Sequence, residues 1–347
     1  MGIAFRKGTQ LTMATAFSEF TRIVGRGPSL SRALTRSEAA EAMALILDGR
    51  VDPLALGGFL LVLRQRGEAA EELVGFVDAV RARIQVPGDG PAPDIDWPSY
   101  ADRHRQQPWF LLSALLLAKS GFRVFMHGIA GETEECAPVR PVLKALDIIA
   151  AGSLSEAQAH LQSCGFAYLG LEDLSPETEA LFHLKPVLGV RSVANTFARD
   201  LNPLGAALSM VGIVHTPYRP LHIEALRLSG QQNAAVFKGV GGEAQRNPYK
   251  AGTVATLKEG VPGEEEWPAN LNGEAFLWRE EDLSPGRVAA VWRGDIDHPA
   301  AEAAIIATAA VALKGLGRAA GQKEAMEQAS ELWQRHREAP HQVRVHA

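Results

Sequence analysis

The chain has 347 residues, of which 46% are hydrophobic and 22% charged, as in an ordinary folded globular protein. Its formal net charge of −5 excludes a uniformly basic surface but leaves room for local basic patches. No run of about 18 uncharged apolar residues occurs, so we expect no transmembrane helix. The first residues are charged and lack an apolar h-region, which predicts a flexible start over 1–17 and a cytoplasmic protein rather than a secreted one.

The segment 35–84 predicts a small bundle of three helices. Thr35 and Glu38 have the spacing of a capping box. Asp52-Pro53 then places a capping acid before a proline at the first helical position, and Gly67 ends that second helix. The third helix has apolar residues on one face at the 3.6-residue period, namely Leu73, Phe76, Val77, Val80 and Ile84. Short-linked amphipathic helices of this kind pack into a bundle.

Beyond a linker rich in proline and glycine at 86–93, predicted strands alternate with helices. The predicted strands are Phe122–His127, Phe166–Leu169, Leu208–His215, Asn233–Lys238 and Thr253–Lys258. The predicted helices include Pro108–Ser120, Ser155–Cys164, Pro217–Ser229, Pro299–Leu316 and Gln322–Arg337. This alternation favours an α/β fold whose mainly parallel central sheet is flanked by helices on both faces.

The two cysteines, Cys136 and Cys164, form no CxxC pair and belong to no metal-ligand cluster. We expect both to be reduced and partly buried, because disulfides are rare in the cytosol.

Three short motifs occur in a fixed order: Met126-His127-Gly128, Leu188-Gly189-Val190-Arg191-Ser192 and Asn202-Pro203. Together they resemble the Lys-His-Gly-Asn-Arg, Leu-Gly-Val-Arg-Thr and Asn-Pro motifs of the anthranilate phosphoribosyltransferase family. The resemblance covers about residues 18–335. It implies a helical domain of 18–86 completed by about 175–200, and an α/β domain of 94–174 and 201–347.

Enzymes of this family bind phosphoribosyl pyrophosphate on a Gly-Thr-Gly-Gly-Asp loop after the first strand, where bare amides cradle the phosphates. Here Asp94-Ile95-Asp96 resembles the incoming strand. The loop that follows is predicted as Trp97-Pro98-Ser99-Tyr100-Ala101, with bulky rings and a proline that has no N–H. The phosphate-binding turn is therefore predicted to be lost.

Further family positions are replaced as well. Met126 stands for the phosphate-binding lysine, Gly242-Glu243 for the Asp-Glu pair that holds Mg²⁺, and Lys185 for an arginine that contacts anthranilate. We predict no catalytic residue, metal or cofactor. The resemblance gives the degenerate substrate-site positions as Trp97, Pro98, Ser99, Tyr100, His127, Gly128, Lys185, Arg191, Gly242 and Glu243.

Pro98-Ser99-Tyr100, Arg103-His104-Arg105 and Gly241-Gly242-Glu243 resemble the YbiB-type branch, which lacks the transferase motifs. That resemblance implies a homodimer, paired through helical domains, that binds DNA or RNA with little sequence preference. The cations predicted to contact phosphates are Arg81, Arg83, Arg103, His104, Arg105, Lys238, Arg246 and Lys250. The rings of Trp97, Tyr100 and Trp109 lie among them in sequence, as they do in proteins that stack exposed bases.

Each of these features also has a structural interpretation. The cations are equally typical of helix ends and solvated turns, the aromatic rings of a filled core, and His127 of a buried strand. Two other functions stay open: a glycosyl- or phosphoribosyltransferase with an altered substrate, which would need Mg²⁺, and a regulatory protein that binds a partner.

Overall fold

The structure is a computed structural model that describes residues 10–27, 29–88 and 90–339. Its helices are α1 (Gln10–Gly25), α2 (Arg36–Leu47), α3 (Pro53–Arg66), α4 (Ala70–Arg81), α5 (Trp109–Lys119), α6 (Val139–Ala145), α7 (Leu154–Cys164), α8 (Leu171–Leu174), α9 (Pro176–Phe182), α10 (Lys185–Leu188), α11 (Ala194–Phe197), α12 (Tyr218–Leu228), α13 (Pro285–Arg293), α14 (Pro299–Gly315) and α15 (Gln322–Glu338). Its strands are β1 (Ile95–Ser99), β2 (Val124–Gly128), β3 (Phe166–Gly170), β4 (Leu208–Ile213), β5 (Asn233–Lys238), β6 (Gly252–Lys258) and β7 (Val261–Trp267).

The described chain divides into two compact units. The helical unit contains the described residues up to Ile84 together with Ser175–Leu201, and the α/β unit contains Gln85–Leu174 and the described residues from Asn202 onward.

In the helical unit, α2 and α3 begin at the capping residues that the sequence predicts. The Thr35 side chain accepts from the Glu38 N–H, and the Glu38 carboxylate accepts from the Thr35 N–H, so the predicted capping box is confirmed. Asp52 caps α3 ahead of Pro53, as predicted. The buried Glu72 of α4 accepts hydrogen bonds from the Leu34 and Ala69 amides and forms an ion pair with Arg66. A buried carboxylate held by several donors fixes this part of the bundle.

The start of the chain, predicted to be flexible over 1–17, contains a helix from Gln10 onward, α1. Phe17, Phe20 and Val24 lie at helical spacing and are all buried, so this helix has an apolar face. The Phe17 ring packs edge-on against Phe59 of α3, with ring centroids 5.2 Å apart. Residues 1–9 lie outside the described residues.

The α/β unit is built on a seven-stranded sheet in the order β3-β2-β1-β4-β5-β6-β7. The first five of these strands are parallel, and β6 and β7 join as antiparallel edge strands. The predicted α/β fold with a mainly parallel sheet is therefore confirmed. The main core lies between one face of the sheet and the helices α5, α14 and α15, and α5 is buried from Trp109 to Ala118.

The sequence analysis missed β7. This strand carries Glu264, Glu265 and Glu266 in succession, without the alternation of apolar and polar residues that identifies a half-buried strand. Charged side chains are common on edge strands, because they discourage pairing with a second sheet.

In the part of the chain that the structure describes, no helix is both long enough and apolar enough to cross a membrane. Cys136 is buried and Cys164 half-buried, and both are free thiols as predicted.

Candidate functional site

The strand order locates a candidate site at the carboxyl ends of β1 and β4. From β1 the sheet is built outward in one direction through β2 and β3, and from β4 in the other through β5. Open parallel sheets bind ligands outside the carboxyl ends of their strands at such a reversal. We call this region the carboxyl edge. It comprises the segments that follow β1 (100–107), β2 (129–138) and β5 (239–250).

The predicted loop at Trp97 is in fact strand. β1 continues through Ser99, with Trp97 opposite Met126 and Pro98 opposite His127 of β2. Pairing of β1 with β4 is limited to Ile95 and Asp96. The early end of that pairing is consistent with a proline at 98, which has no N–H to donate.

The aromatic rings are core residues rather than stacking platforms. Trp97 and Trp109 are fully buried in the main core, and Tyr100 is 1% exposed. Trp97 joins the core because alternate residues of a strand share one face, and Ile95 already faces that core. The interpretation that these rings stack on bases is therefore wrong for the conformation seen.

Tyr100, His127 and Asp96 form a buried chain of hydrogen bonds. The Tyr100 hydroxyl is 2.7 Å from His127 Nδ1, and His127 Nε2 is 3.1 Å from Asp96 Oδ1. A neutral imidazole protonated at Nε2 satisfies both contacts, with Tyr100 donating to Nδ1 and Nε2 donating to Asp96. All three side chains are at most 1% exposed, so the chain fixes the end of β1 against β2.

Gly128 is required by close packing at the same place. A Cβ at this position would lie 1.9 Å from the Ser99 carbonyl oxygen. The His-Gly motif therefore has a structural role here.

Glu243 joins the segment after β5 to the segment after β1. Its side chain is buried, and Oε1 accepts a 2.7 Å hydrogen bond from the Ala101 amide. Its backbone also passes close to β4 and to its own loop. A Cβ on Gly212 would lie 2.2 Å from the Glu243 carbonyl carbon, and a Cβ on Gly239 would lie 1.6 Å from the Glu243 oxygen. The glycine-rich loop containing Gly242 is thus packed against its own chain.

Four of the predicted cations are exposed at the carboxyl edge. Arg103 and Arg105 follow β1, and Lys238 ends β5. Lys250 precedes β6, which runs antiparallel to β5 and so begins at the same edge. Arg103 forms an ion pair with Glu132 at 2.8 Å, and both partners are more than two-fifths exposed.

Two other predicted cations of this edge are buried, which corrects their assignment as phosphate contacts. Burial lowers the pKa of His104 to about 4, so its ring is neutral at pH 7. Burial also lowers the pKa of Arg246 to about 10, and its guanidinium donates to the carbonyl oxygens of Gly252, Trp267 and Pro268. Neither side chain faces a ligand in solution.

The remaining predicted positions belong to the helical unit. Arg81 donates to the carbonyls of Leu201 and Asp200, and Arg83 donates to two carbonyls and to the Asp48 carboxylate. Both side chains are half-buried and bound within the helical unit, so neither is the solvated helix-end charge of the structural interpretation. Lys185 begins α10, and it and Arg191 are half-buried.

Sequence reasoning missed a cluster at the ends of β2 and β3. The Arg140 guanidinium lies 5.8 Å from the centroid of the Tyr168 ring and forms an ion pair with Glu172. Burial raises the pKa of the Tyr168 hydroxyl to about 12, so the phenol stays protonated. No sequence signal identifies this cluster, because its members come from three elements.

Among the described residues, no group of three or more histidine, cysteine or acidic side chains is placed to hold a metal ion. Glu243 is engaged with the Ala101 amide.

Comparisons with known proteins give the same fold. Residues 18–84 match a family model described as the helical bundle domain of a glycosyl transferase family. The chain is 30% identical over 249 residues to an anthranilate phosphoribosyltransferase of Nitratidesulfovibrio vulgaris, covering 71% of this chain and 72% of that one. It is 28% identical over 251 residues to the uncharacterized protein YbiB of Escherichia coli, covering 71% and 78%.

A third relative is the anthranilate phosphoribosyltransferase of Methylocella silvestris, 28% identical over 229 residues, of which this chain spans 65%, just under two thirds. Among solved structures, anthranilate phosphoribosyltransferase from Thermus thermophilus matches with a TM-score of 0.76 at 21% identity, covering 90% of this chain and 93% of that one. At that identity the structural match shows the fold alone.

Proposed function

The chain belongs to the anthranilate phosphoribosyltransferase family, and we propose that it is a non-enzymatic, cytoplasmic member that binds nucleic acid as a homodimer. The phosphates would be held by the exposed cations of the carboxyl edge, Arg103, Arg105, Lys238 and Lys250. Base edges play no part in this proposal, so binding is independent of sequence.

The observation that supports the proposal is a closed interior beside four exposed cations at one edge of the sheet. The same edge carries the exposed carboxylates Glu132, Glu134 and Glu135. A diphosphate on the turn after β1 would need free amides, yet the Ala101 amide already donates to the buried Glu243 carboxylate. Breaking a hydrogen bond to a charged group costs about 1.5–3 kcal/mol. The next residues along the chain, Arg103 and Arg105, are exposed.

The ion pair between Arg103 and Glu132 is compatible with this role. Exposed pairs contribute only about 0–1 kcal/mol, so a polyanion can displace the carboxylate. Phosphate binding would then release condensed counterions, which makes affinity fall steeply with salt.

The test is binding of fluorescein-labelled oligonucleotides of several sequences, followed by anisotropy between about 50 and 200 mM KCl. The combined variant Arg103→Ser/Arg105→Ser should bind every sequence more weakly, and its salt dependence should be shallower by about two ions. Lys323→Ser, which removes a 92% exposed cation on α15, is the matched control and should bind like the wild type. Absence of binding at low salt, or equal binding by the double variant, would overturn the proposal.

The homodimer is supported by an exposed apolar surface on the helical unit. Leu54 is 80% exposed and Leu61 41% exposed, one above the other on α3, and Val187 after the start of α10 is 82% exposed. Gly57 lies between Leu54 and Leu61 on α3, and a Cβ added to it would be 3.6 Å from the Leu188 side chain. Exposed aliphatic side chains around a small residue suit close pairing with a second copy.

The second candidate is a transferase with an altered substrate. It is motivated by the position of the Asp96–His127–Tyr100 hydrogen-bond chain, which lies beside the edge where parallel sheets bind ligands although all three side chains are buried. The measurement is turnover of anthranilate and phosphoribosyl pyrophosphate with Mg²⁺, followed by the loss of anthranilate fluorescence. Turnover that persists in Arg103→Ser/Arg105→Ser and is lost in Tyr100→Phe would favour this candidate over nucleic-acid binding.

A further inference from the structure

A large open groove lies at the opposite edge of the sheet, where β1 and β2 begin. Its volume is about 1050 Å³, and it is bounded by the ends of α5, α7 and α14 and by one face of α15. We call it the amino-edge groove. Phe122, Leu161, Leu313 and Leu332 supply its apolar lining. A groove of this size accommodates a ligand as large as a nucleotide.

The amino-edge groove is positively charged in a chain whose net charge is −5. Its lining contains four cations (Lys119, Arg123, Arg318, Arg335) and two carboxylates (Asp94, Glu331), which gives a local charge of +2. The excess is therefore a feature of this groove rather than of the surface in general.

Two of the four cations are already matched by protein groups. Arg123 lies 3.6 Å from the Asp94 carboxylate. Lys119 occupies the last turn of α5, where a positive charge meets the negative end of the helix dipole. Arg318 and Arg335 differ, because both are exposed and neither lies within 4.0 Å of a described carboxylate. Arg335 Nε donates to the Glu331 carbonyl oxygen of its own helix at 3.3 Å, a contact that leaves the charge of the guanidinium without an acidic partner among the described residues. These two guanidinium groups are available to an anion.

Arg318 also forms a flat surface with an aromatic ring. Its Cζ atom is 5.6 Å from the centroid of Phe122, which is partly exposed in the groove. A guanidinium over a ring presents planar faces on which a nucleobase can stack. The position of Arg318 is fixed from α15, because Gln328 Nε2 donates to its carbonyl oxygen at 3.0 Å.

The polar groups of α15 follow the helical period. Gln328, Glu331 and Arg335 lie three and four residues apart and so share one face, and all three line the groove. This face contributes a second guanidinium, that of Arg335, to the same groove from a separate element. A stacking surface beside a guanidinium is the combination that recognises a base joined to a phosphate.

We propose that the amino-edge groove binds a nucleotide, with the base stacked at Phe122 and Arg318 and the phosphate held by Arg335. A free nucleoside monophosphate and an unpaired nucleotide of a single strand share this chemistry. A base inside a duplex does not, because its faces are occupied by neighbouring bases. The inference is independent of the function proposed above, since it concerns residues at the other edge of the sheet.

The experiment uses the full chain and two probes. Adenosine monophosphate is titrated by calorimetry, and a fluorescein-labelled single-stranded oligothymidylate is followed by anisotropy. The combined variant Arg318→Ser/Arg335→Ser should bind at least one probe about tenfold more weakly than the wild type. Arg318→Lys keeps the charge but loses the planar group, so it should also bind that probe more weakly. Lys323→Ser, a cation on α15 that does not line the groove, should have no effect.

The outcomes separate the sources and the two proposals. Loss of affinity for adenosine monophosphate identifies a mononucleotide site, and loss for the oligonucleotide alone identifies a single-strand site. If Arg103→Ser/Arg105→Ser weakens oligonucleotide binding and the groove variant weakens binding of neither probe, the groove inference is overturned and the carboxyl-edge function stands. If only the groove variant weakens oligonucleotide binding, the groove inference stands and the carboxyl-edge function is overturned. Wild-type protein that binds neither probe, or an intact groove variant that binds both normally, also overturns the inference, with intactness judged by thermal unfolding.

Discussion

His104 and Arg246 are residues of the types that bind phosphate, yet both are buried at the carboxyl edge. The Arg246 guanidinium donates hydrogen bonds to three backbone carbonyl oxygens. His104 packs edge-on against Phe110, with ring centroids 5.8 Å apart, and burial keeps its ring neutral. Desolvation disfavours the charged form of a buried base, so a cationic residue type becomes a binding group only where it meets water.

The pH dependence of stability should contain a contribution from His104. Its pKa falls from 6.5 to about 4 on folding, so below pH 6.5 the unfolded chain takes up a proton that the folded chain does not. The free energy of unfolding should therefore decrease as the pH falls from 6.5 towards 4. His104 contributes at most about 1.4 kcal/mol per pH unit to this decrease.

The measurement is urea unfolding of the wild type and His104→Phe from pH 7.5 to pH 4. The phenylalanine keeps a ring against Phe110 and cannot titrate. The free energy of unfolding of the wild type should fall more steeply between pH 6.5 and 4 than that of the variant. Parallel curves for the two proteins would show that His104 is not buried as described.

At the scale of the elements, the carboxyl edge depends on close approach of backbones. Gly212 of β4 faces the Glu243 backbone at a distance that leaves no room for a side chain. This contact holds the loop after β5 over β4, and Glu243 then reaches the Ala101 amide beyond β1. The closed end of the sheet is thus built by two loops that support each other.

Adding a methyl group at Gly212 should disrupt this arrangement. Gly212→Ala places its Cβ 2.2 Å from the Glu243 carbonyl carbon, and we expect it to destabilise the protein by about 1–3 kcal/mol. Gly286→Ala in the first turn of α13 is the control, because nothing lies within 4 Å of its Cβ. The control should be neutral or stabilise by about 0.4–1 kcal/mol. Equal denaturation midpoints for the two variants would contradict the packing described for β4.

At the scale of the whole molecule, the proposed homodimer should depend on the apolar surface of α3. Leu54→Glu places a charge at an 80% exposed position, where a monomer tolerates it and a paired surface does not. Light scattering after size exclusion should give twice the chain mass for the wild type and the single-chain mass for this variant. Val261→Glu, at a 66% exposed position on β7, should leave the dimer intact. A monomeric wild type, or a dimeric Leu54→Glu, would argue against pairing through α3.

The sequence determined the local features of the fold. The Thr35 and Asp52 caps lie where they were predicted, because a capping hydrogen bond involves residues two or three apart. The strand at Asn233–Lys238 and the helices that end the described chain were predicted nearly residue by residue from their apolar periods. Their alternation was sufficient for the α/β class, since parallel strands need helical connections.

The tertiary structure decided which of the predicted site residues meet solvent. Of the cations read as phosphate contacts, Arg105 is exposed while Arg246 is buried, and nothing in their immediate sequence separates them. It also decided that β1 runs through Pro98. The Arg318 guanidinium packs over the Phe122 ring although the two residues are nearly two hundred positions apart in the sequence. Burial and pairing depend on elements distant in sequence, whereas caps and periods depend on the nearest turns of the backbone. For this reason the sequence identified the residue types of the candidate site, but it did not identify which of their side chains are exposed to solvent.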